Sequence, residues 1–272
     1  MNSTTHNTSN STARPLALVT GASAGIGLDV ATVLAARGHD LVLVARREAQ
    51  LREIAARLEQ AHGITAHVIA SDLAAPDAPD ALIQQLSAKG LVVDVLVNNA
   101  GYGLYGAITE TDPDAELKMI QLNIVALYRL TKLIVPGMVV RKRGHIMNVA
   151  STAAFFSGPL MAVYYASKAF VLSFSEALDE ELDGSGVHVS CLCPGPTKTE
   201  FRTVAGTEKS KLSSRPQVAS MPVAVAGVDG LFAGDRVVIP GAKNRFETSL
   251  PRFLPRRMIA RIVKNTQARA AH

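Results

Sequence analysis

At 272 residues, with 48% hydrophobic and 19% charged content, the chain is long enough for one large α/β domain or two small ones and reads as globular. Tryptophan is absent and aromatics make up 5%, so the core must rest on Ala, Val, Leu and Ile, as suits helices packed on a buried sheet. The charge of +5 raises nucleic acid or an acidic membrane as partners, but the basic residues show no aromatic interleaving, which speaks against nucleic acid. No apolar run reaches the roughly 18 to 20 residues of a membrane span, since Asp94 interrupts LVVDVLV and Pro136 with Gly137 interrupts LIVPGMVV, so a soluble protein is expected.

The first 13 residues, MNSTTHNTSNSTA, are polar and lack the apolar segment of a secretory signal; a disordered tail and a cytoplasmic address are expected. LALVTG then opens a series of apolar β-rich runs that alternate with helical patterns: LVLVARR, AHVIASD, VDVLVNNAG, HIMNVAS, VHVSCLCPG and RVVIPG. Seven strands with six intervening segments, most of them helical and about 25 residues long, predict one parallel, Rossmann-type doubly wound α/β sheet in the order 3-2-1-4-5-6-7 over residues 14–272.

Strand one runs into TGASAGIG, with Gly21, Gly25 and Gly27 ahead of a helix. Such glycines let the chain turn sharply and let a pyrophosphate approach the N–H groups of a helix N-terminus. The same letters satisfy the G-x-S-x-G of a hydrolase elbow at Ser23, but a single strand precedes it, too few for that fold's oxyanion hole. At the end of strand two, where an acid would grip the ribose hydroxyls of NAD, stand Arg46 and Arg47. Guanidinium groups there suit a 2′-phosphate, so NADP(H) is expected over NAD(H), with Arg46 the first choice and Arg47 the second. Strand three closes on Ser71-Asp72-Leu73, where Asp72 either accepts from the adenine amino group or caps the next helix.

VYYASKAF sets Tyr164 and Tyr165 four and three residues before Lys168 on a predicted helix, so both tyrosines can meet the lysine, while Ala166, Phe170, Phe174, Leu178 and Leu182 repeat on a face expected to pack. A free tyrosine titrates near pH 10, and a nearby ammonium would have to supply about 4 kcal/mol to bring it towards 7. Ser151 ends strand five at the carboxyl edge, where such sheets place ligands. After it, Phe155, Phe156, Leu160 and Met161 suggest a hydrophobic substrate. Cys191 and Cys193, two apart in strand six, are read as pointing to opposite faces and as buried reduced thiols. Residues 201–222, rich in Ser, Lys and Thr, are expected to form a lid over the substrate. Residues 250–272 predict a basic amphipathic helix with Phe253, Ile259, Ile262 and Val263 as its apolar partners; a solvated face of a docked helix is favoured over attachment to an anionic membrane.

In this order TGASAGIG (20–27), NNAG (98–101), Asn123, Ser151, YYASK (164–168) and PGPTKT (194–199) resemble the classical short-chain dehydrogenases/reductases over nearly all of residues 14–245. The resemblance implies Asn123, Ser151, Tyr164 and Lys168 as the catalytic set, Asn123 holding a water of a proton relay. It also selects Tyr164 over Tyr165, because the family places a serine 13 residues before its tyrosine, as Ser151 stands before Tyr164. By the same resemblance Gly21, Ser23, Gly25, Ile26, Gly27, Arg46, Arg47, Asp72, Leu73, Asn98, Asn99, Ala100, Gly101, Tyr164, Lys168, Pro194, Gly195, Thr197 and Thr199 hold the cofactor. It further implies a metal-free hydride transfer between nicotinamide and a carbonyl or secondary alcohol, on a ketone, hydroxysteroid or β-ketoacyl substrate, in a homodimer or homotetramer. The rival is a protein that senses NADP(H) without turnover, for which the proton-transfer set would be superfluous.

Overall fold

The computed structural model describes residues 14–211 and 216–269, so the polar tail at 1–13 lies outside the described residues. Seven strands form one parallel sheet in the predicted order: β3 (Ala66–Ala70), β2 (Asp40–Ala45), β1 (Leu16–Thr20), β4 (Val95–Asn98), β5 (Gly144–Val149), β6 (Val187–Leu192) and β7 (Val237–Val238). Every pairing is parallel, from Leu16 against Asp40 to Leu192 against Val238. The strand sequences lack polar alternation because both faces are covered. Ala17 and Val19 of β1 join a core with α1 (Gly25–Ala36), α2 (Glu48–His62) and α8 (Ser220–Ala233). Leu16 and Leu18 point the other way, into a core with α3 (Ala78–Ala88), α5 (Leu127–Val140) and α6 (Ala162–Glu181). The order reverses between β1 and β4, which opens a crevice at the carboxyl ends of the strands.

The helix α4 (Pro113–Ile120) starts with Asp112 accepting from Asp114 N and runs through a π-helical turn, Gln121–Ala126, into α5. This stretch, Pro113–Val140, is by length and composition apolar enough to cross a bilayer, which the interruption at Pro136 did not lead us to expect. It lies along the sheet, with Met119, Leu130, Ile134 and Met138 in the core.

Three local expectations are corrected. On α6 the buried side chains are Tyr164, Ser167, Lys168, Val171, Leu172 and Ser175, whereas Ala166 and Phe170 are exposed and Phe170 stacks on Phe174 with ring centroids 5.7 Å apart. The regular spacing of large apolar residues marked only part of the packing face: Leu178, Leu182 and Phe174 pack against the core, while nearer the start of the helix the buried face uses Tyr164, Ser167 and Lys168. Cys191 and Cys193 share one face, as a period of two requires, with sulfurs 3.8 Å apart. Both are buried free thiols. The basic C-terminal helix expected from residue 250 starts later: α9 (Ala242–Ser249) and a 3-10 turn (Leu250–Arg252) come first, and after Pro255 the helix itself is α10 (Arg256–Gln267). Residues 270–272 lie outside the described residues.

Candidate active site

The crevice is a cavity of about 940 Å³ that runs from the β1–α1 loop to the C-terminal helix. Its first wall is backbone. Gly21 and Gly25 take φ of +67° and +56°, a left-handed geometry that lets the chain leave β1 and enter α1 at once. Gly27 is needed for contact, not for conformation: a Cβ there would stand 2.3 Å from both Asn99 Nδ2 and the Gly21 carbonyl oxygen. Asn99 in turn donates through Nδ2 to the Thr20 and Gly21 carbonyls, and Thr20 Oγ1 accepts from the N–H groups of Asn99 and Ala100. The strand ends of β1 and β4 are thereby locked together.

Of the predicted cofactor residues, Gly21, Ser23, Gly25, Ile26, Arg46, Arg47, Asp72, Leu73, Asn99, Ala100, Gly101, Pro194, Gly195, Thr197 and Thr199 line this cavity. Gly27 sits behind the lining. Asn98 points away from it: its Nδ2 donates to Thr131 Oγ1 (3.0 Å) and Asn148 Oδ1 (2.9 Å), in a buried network that continues from Asn148 Nδ2 to Ser175 Oγ. Neighbours in a strand face opposite ways, so in NNAG only one asparagine can reach the crevice. Asp72 lines the cavity and accepts from Ala74 N within a turn; it does not cap the next helix, α3, whose N-cap position is Asp77.

The two arginines differ. Arg47 donates to Ser23 Oγ (3.0 Å) and pairs with Glu200 (3.0 Å), tying the glycine loop to the segment after β6. Ser23 therefore has a guanidinium beside it where a hydrolase needs a base. Arg46 is exposed, lines the cavity, and makes no ion pair among the described residues. It is the guanidinium free to meet a phosphate.

The reacting end combines β5 and α6. Ser151 follows β5; its Oγ accepts from Ala153 N (3.1 Å), donates to the Pro194 carbonyl (3.4 Å) and hydrogen-bonds Tyr164. Lys168, one turn along α6 from Tyr164, donates through Nζ to the Val149 carbonyl (2.8 Å) and lies 6.0 Å from the Tyr164 ring centroid. Tyr164 and Lys168 are 7% and 6% exposed. Burial pushes the Tyr164 hydroxyl well above the usual tyrosine range, against the pull of the Ser151 hydrogen bond, and lowers Lys168 to about 8. The ammonium expected to depress the tyrosine does not figure among the influences on it; the tyrosine's own burial sets the direction. Tyr165 lines the cavity on its distal side: its ring covers Gly158 and its hydroxyl meets the Gln267 side chain.

Asn123 occupies the π-helical turn and is 1% exposed. Its oxygen accepts from Tyr102 N (3.1 Å), and its Nδ2 donates to the Tyr102 carbonyl (2.9 Å) and Ser167 Oγ (3.1 Å). A side chain on Gly101 would touch Asn123 Oδ1 at 2.9 Å and Lys168 Nζ at 3.4 Å, so this glycine lets the loop pass directly over both. The wider π turn turns the asparagine inward at this point.

The distal wall is apolar. Phe156 and Met161 line it as expected, while Phe155 packs into a core with Val171 and Cys191, and Leu160 stands outside the lining. Residues of the expected lid are structured as α7 (Phe201–Ala205), a 3-10 turn (Thr207–Lys209) and a bridge from Val218 to Thr197. Residues 212–215 lie outside the described residues. Phe201 and Val204, within the expected lid, line this wall together with Ile262, Val263 and Gln267; the last three were not anticipated as site residues, since nothing local in their sequence points to a cleft assembled from distant segments.

The model of the short chain dehydrogenase family matches residues 15–210. Among similar proteins, a very-long-chain 3-oxoacyl-CoA reductase of Phaeosphaeria nodorum is 40% identical over 180 residues, 65% of this chain and 53% of the relative. The chain thus spans about half the length of that relative. The protein of the same name from Rattus norvegicus is 32% identical over 88% of this chain and 76% of its own. Among solved structures, a short-chain dehydrogenase from Sphingobium yanoikuyae in complex with NADPH superposes with a TM-score of 0.80 at 32% identity, covering 94% of this chain and 98% of that one. A bulky-bulky ketone specific alcohol dehydrogenase from Comamonas testosteroni gives 0.75 at 30% identity, over 94% and 97%.

Proposed function

The chain belongs to the short-chain dehydrogenase family, and on that premise we propose that it is an NADP(H)-dependent oxidoreductase acting on a hydrophobic ketone or its secondary alcohol, with a 3-oxoacyl chain the first substrate class to test. The observation that carries this reading is the half-buried Ser151 beside the buried Tyr164 and Lys168 at the carboxyl edge of β5, open to a cavity with a glycine loop and, at its other end, Arg46, which makes no ion pair among the described residues.

The residues fit a dinucleotide. The left-handed Gly21 and Gly25 leave N–H groups at the start of α1 for a pyrophosphate, Asp72 and Ala100 border the adenosine side, and Arg46 suits a 2′-phosphate. Bound NADP(H) would supply or accept the hydride at its nicotinamide ring. Ser151 Oγ orients the carbonyl oxygen by donating to it. Tyr164 donates its proton to that oxygen in reduction and takes one back in oxidation. Lys168 fixes the edge of β5 through the Val149 carbonyl and supplies the positive charge that a tyrosinate would need. Asn123 holds Tyr102 and Ser167 beneath them, and the relay of water through it is part of the proposal.

The hydrophobic substrate rests on Phe156, Met161, Phe201, Val204, Ile262 and Val263 in the distal wall. The names of the similar reductases and of the bulky-ketone dehydrogenase support the same class. The exposed Tyr128 and Phe170 on α5 and α6, which pack around the half-buried Phe174, support a homo-oligomer, which light scattering of the purified chain tests. The function itself is tested by a cofactor-coupled assay in both directions, with NADPH or NADH, on 3-oxoacyl thioesters, bulky ketones, hydroxysteroids and sugars. Turnover of the apolar carbonyls that vanishes in Tyr164→Phe is expected. Tight NADPH binding with no oxidation on any member would show a sensor instead, and activity confined to sugars would refute the hydrophobic class.

A further inference from the structure

Between Lys243 and Arg269 the chain carries eight lysines and arginines against a single acid, Glu247. Lys243 lies 4.0 Å from Glu247, and Arg269 is paired with Glu110. Arg245, Arg252, Arg256, Arg257, Arg261 and Lys264 are all exposed and make no ion pair among the described residues. Cations on a solvated helix face are ordinary. Here they surround bare apolar side chains: Phe253 is 80% exposed, Met258 49% and Ile262 48%.

The arrangement on α10 is directional. Ile259 and Gln267 are buried on one face. Met258 and Ile262, four residues apart, share a face that points to solvent, and Arg257 and Arg261 each stand one residue before them. The apolar arc of the helix therefore does not end at the core; it continues out into water beside a cationic stripe, the pattern of a helix that lies in a bilayer interface. Ile262 and its neighbour Val263 also line the cavity, so this helix stands at the distal end, where an apolar substrate would enter.

We propose that α10 and the Phe253 turn before it dock on an anionic lipid surface. Phe253, Met258 and Ile262 enter the acyl boundary, the six unpaired cations meet headgroup phosphates, and the apolar end of the cavity is set against the bilayer. Docking reverses the expectation of a merely solvated helix, because two of its four supposed core partners, Phe253 and Ile262, face outward. The methionine and isoleucine favour hydrocarbon over nucleic acid, whose bases would call for stacked aromatics. The surface does not depend on the reaction, so it stands or falls separately from the proposed activity.

The test is co-sedimentation of the full chain with vesicles of phosphatidylcholine alone or mixed with phosphatidylglycerol, across ionic strength. Binding is expected to the anionic vesicles only, strongest at low salt. Replacing Arg257, Arg261 and Lys264 together by Gln should weaken it on the order of 100-fold, from the attraction of about one tenfold step or less per charge near an anionic leaflet. Phe253→Ser with Met258→Ser should remove the part that resists salt. None of these five side chains lines the cavity, so both variants should keep the wild-type melting temperature and activity on a soluble substrate. Failure to sediment with anionic vesicles at low salt, equal binding to neutral vesicles, undiminished binding by the triple variant, or binding to single-stranded DNA or an acidic protein in place of vesicles would each overturn the proposal.

Discussion

At the glycine-loop end of the cavity, the Thr20 and Asn99 side chains pin the backbone of Thr20, Gly21, Asn99 and Ala100, and Gly27 packs against them with no room for a Cβ. At the far end the wall is brought in from the C-terminus and held by side chains and a few main-chain bonds: Tyr105 Oη donates to the Gln267 carbonyl (2.6 Å), Lys211 N to Ala268 O (2.9 Å), and Gln267 meets Tyr165. A phosphate-binding turn needs fixed N–H groups, and only backbone can supply them; a substrate wall needs shape, which side chains can vary. The difference separates variants that should stop the reaction from variants that should retune it.

The sharpest separation lies within one dipeptide. Tyr164→Phe removes the proton donor, so a loss of on the order of 10² to 10⁴ in kcat is expected with cofactor binding retained. An active Tyr164→Phe would end the assignment, and with it the claim that chemistry belongs to the β5–α6 edge.

Next come the arginines at the cofactor end. Arg46 has no competing ion-pair partner among the described residues, so Arg46→Ala should raise the KM for NADPH by about 10- to 100-fold, the worth of a charge-assisted bond, and leave NADH nearly unchanged. Arg47 already pairs with Glu200 across an exposed gap, so Arg47→Ala should cost less. Equal KM values for both cofactors in the wild type would break this reading, and a larger effect at Arg47 would exchange the two roles.

How much of this was legible follows the same division. The alternation of strands and helices and the glycine loop could be read because they depend on local spacing, whereas Ser151, Tyr164 and Lys168 came as a set from the family resemblance, spacing alone leaving Tyr165 open. Asn98 was misplaced because composition alone does not say which of two adjacent asparagines faces the crevice. Phe170 was read as packed because periodicity reports a face without saying what lies against it. Ile262, Val263 and Gln267 were invisible as site residues: they reach the cavity only through the return of a chain some 100 residues after Tyr165, a separation no motif spans.

Lys168 adds a test of the cost of the site. Its value falls to about 8 in the fold from an ordinary 10.5, so the unfolded chain binds more protons between those limits. Stability should therefore rise with pH through that window, and below pH 8 the buried charge costs about 3 kcal/mol at most. Lys168→Met removes that cost but leaves the Val149 carbonyl without its donor, worth about 1–3 kcal/mol in the other direction. Denaturant unfolding of the pair should show the wild type gaining on the variant as pH rises from 8 towards 10.5. A stability difference independent of pH would mean that the lysine is better solvated than its 6% exposure implies.

The smallest effect is expected at the distal wall, from Tyr165→Phe. Tyr165 keeps its ring over Gly158 in this variant and loses only its hydroxyl, the partner of the Gln267 amide. Gln267 is 1% exposed and its Oε1 already has no hydrogen-bond partner, so the variant would leave the amide nitrogen unsatisfied as well. That costs about 1–3 kcal/mol and loosens the end of α10, which is read as a melting-temperature decrease of a few degrees. Because Tyr165 does not reach Ser151 or Lys168, kcat should stay within a few-fold while KM for long apolar substrates rises more than KM for short ones. A loss in kcat equal to that of Tyr164→Phe would show that the wall and the reacting edge are one unit, and that Gln267 positions the catalytic tyrosine through its neighbour.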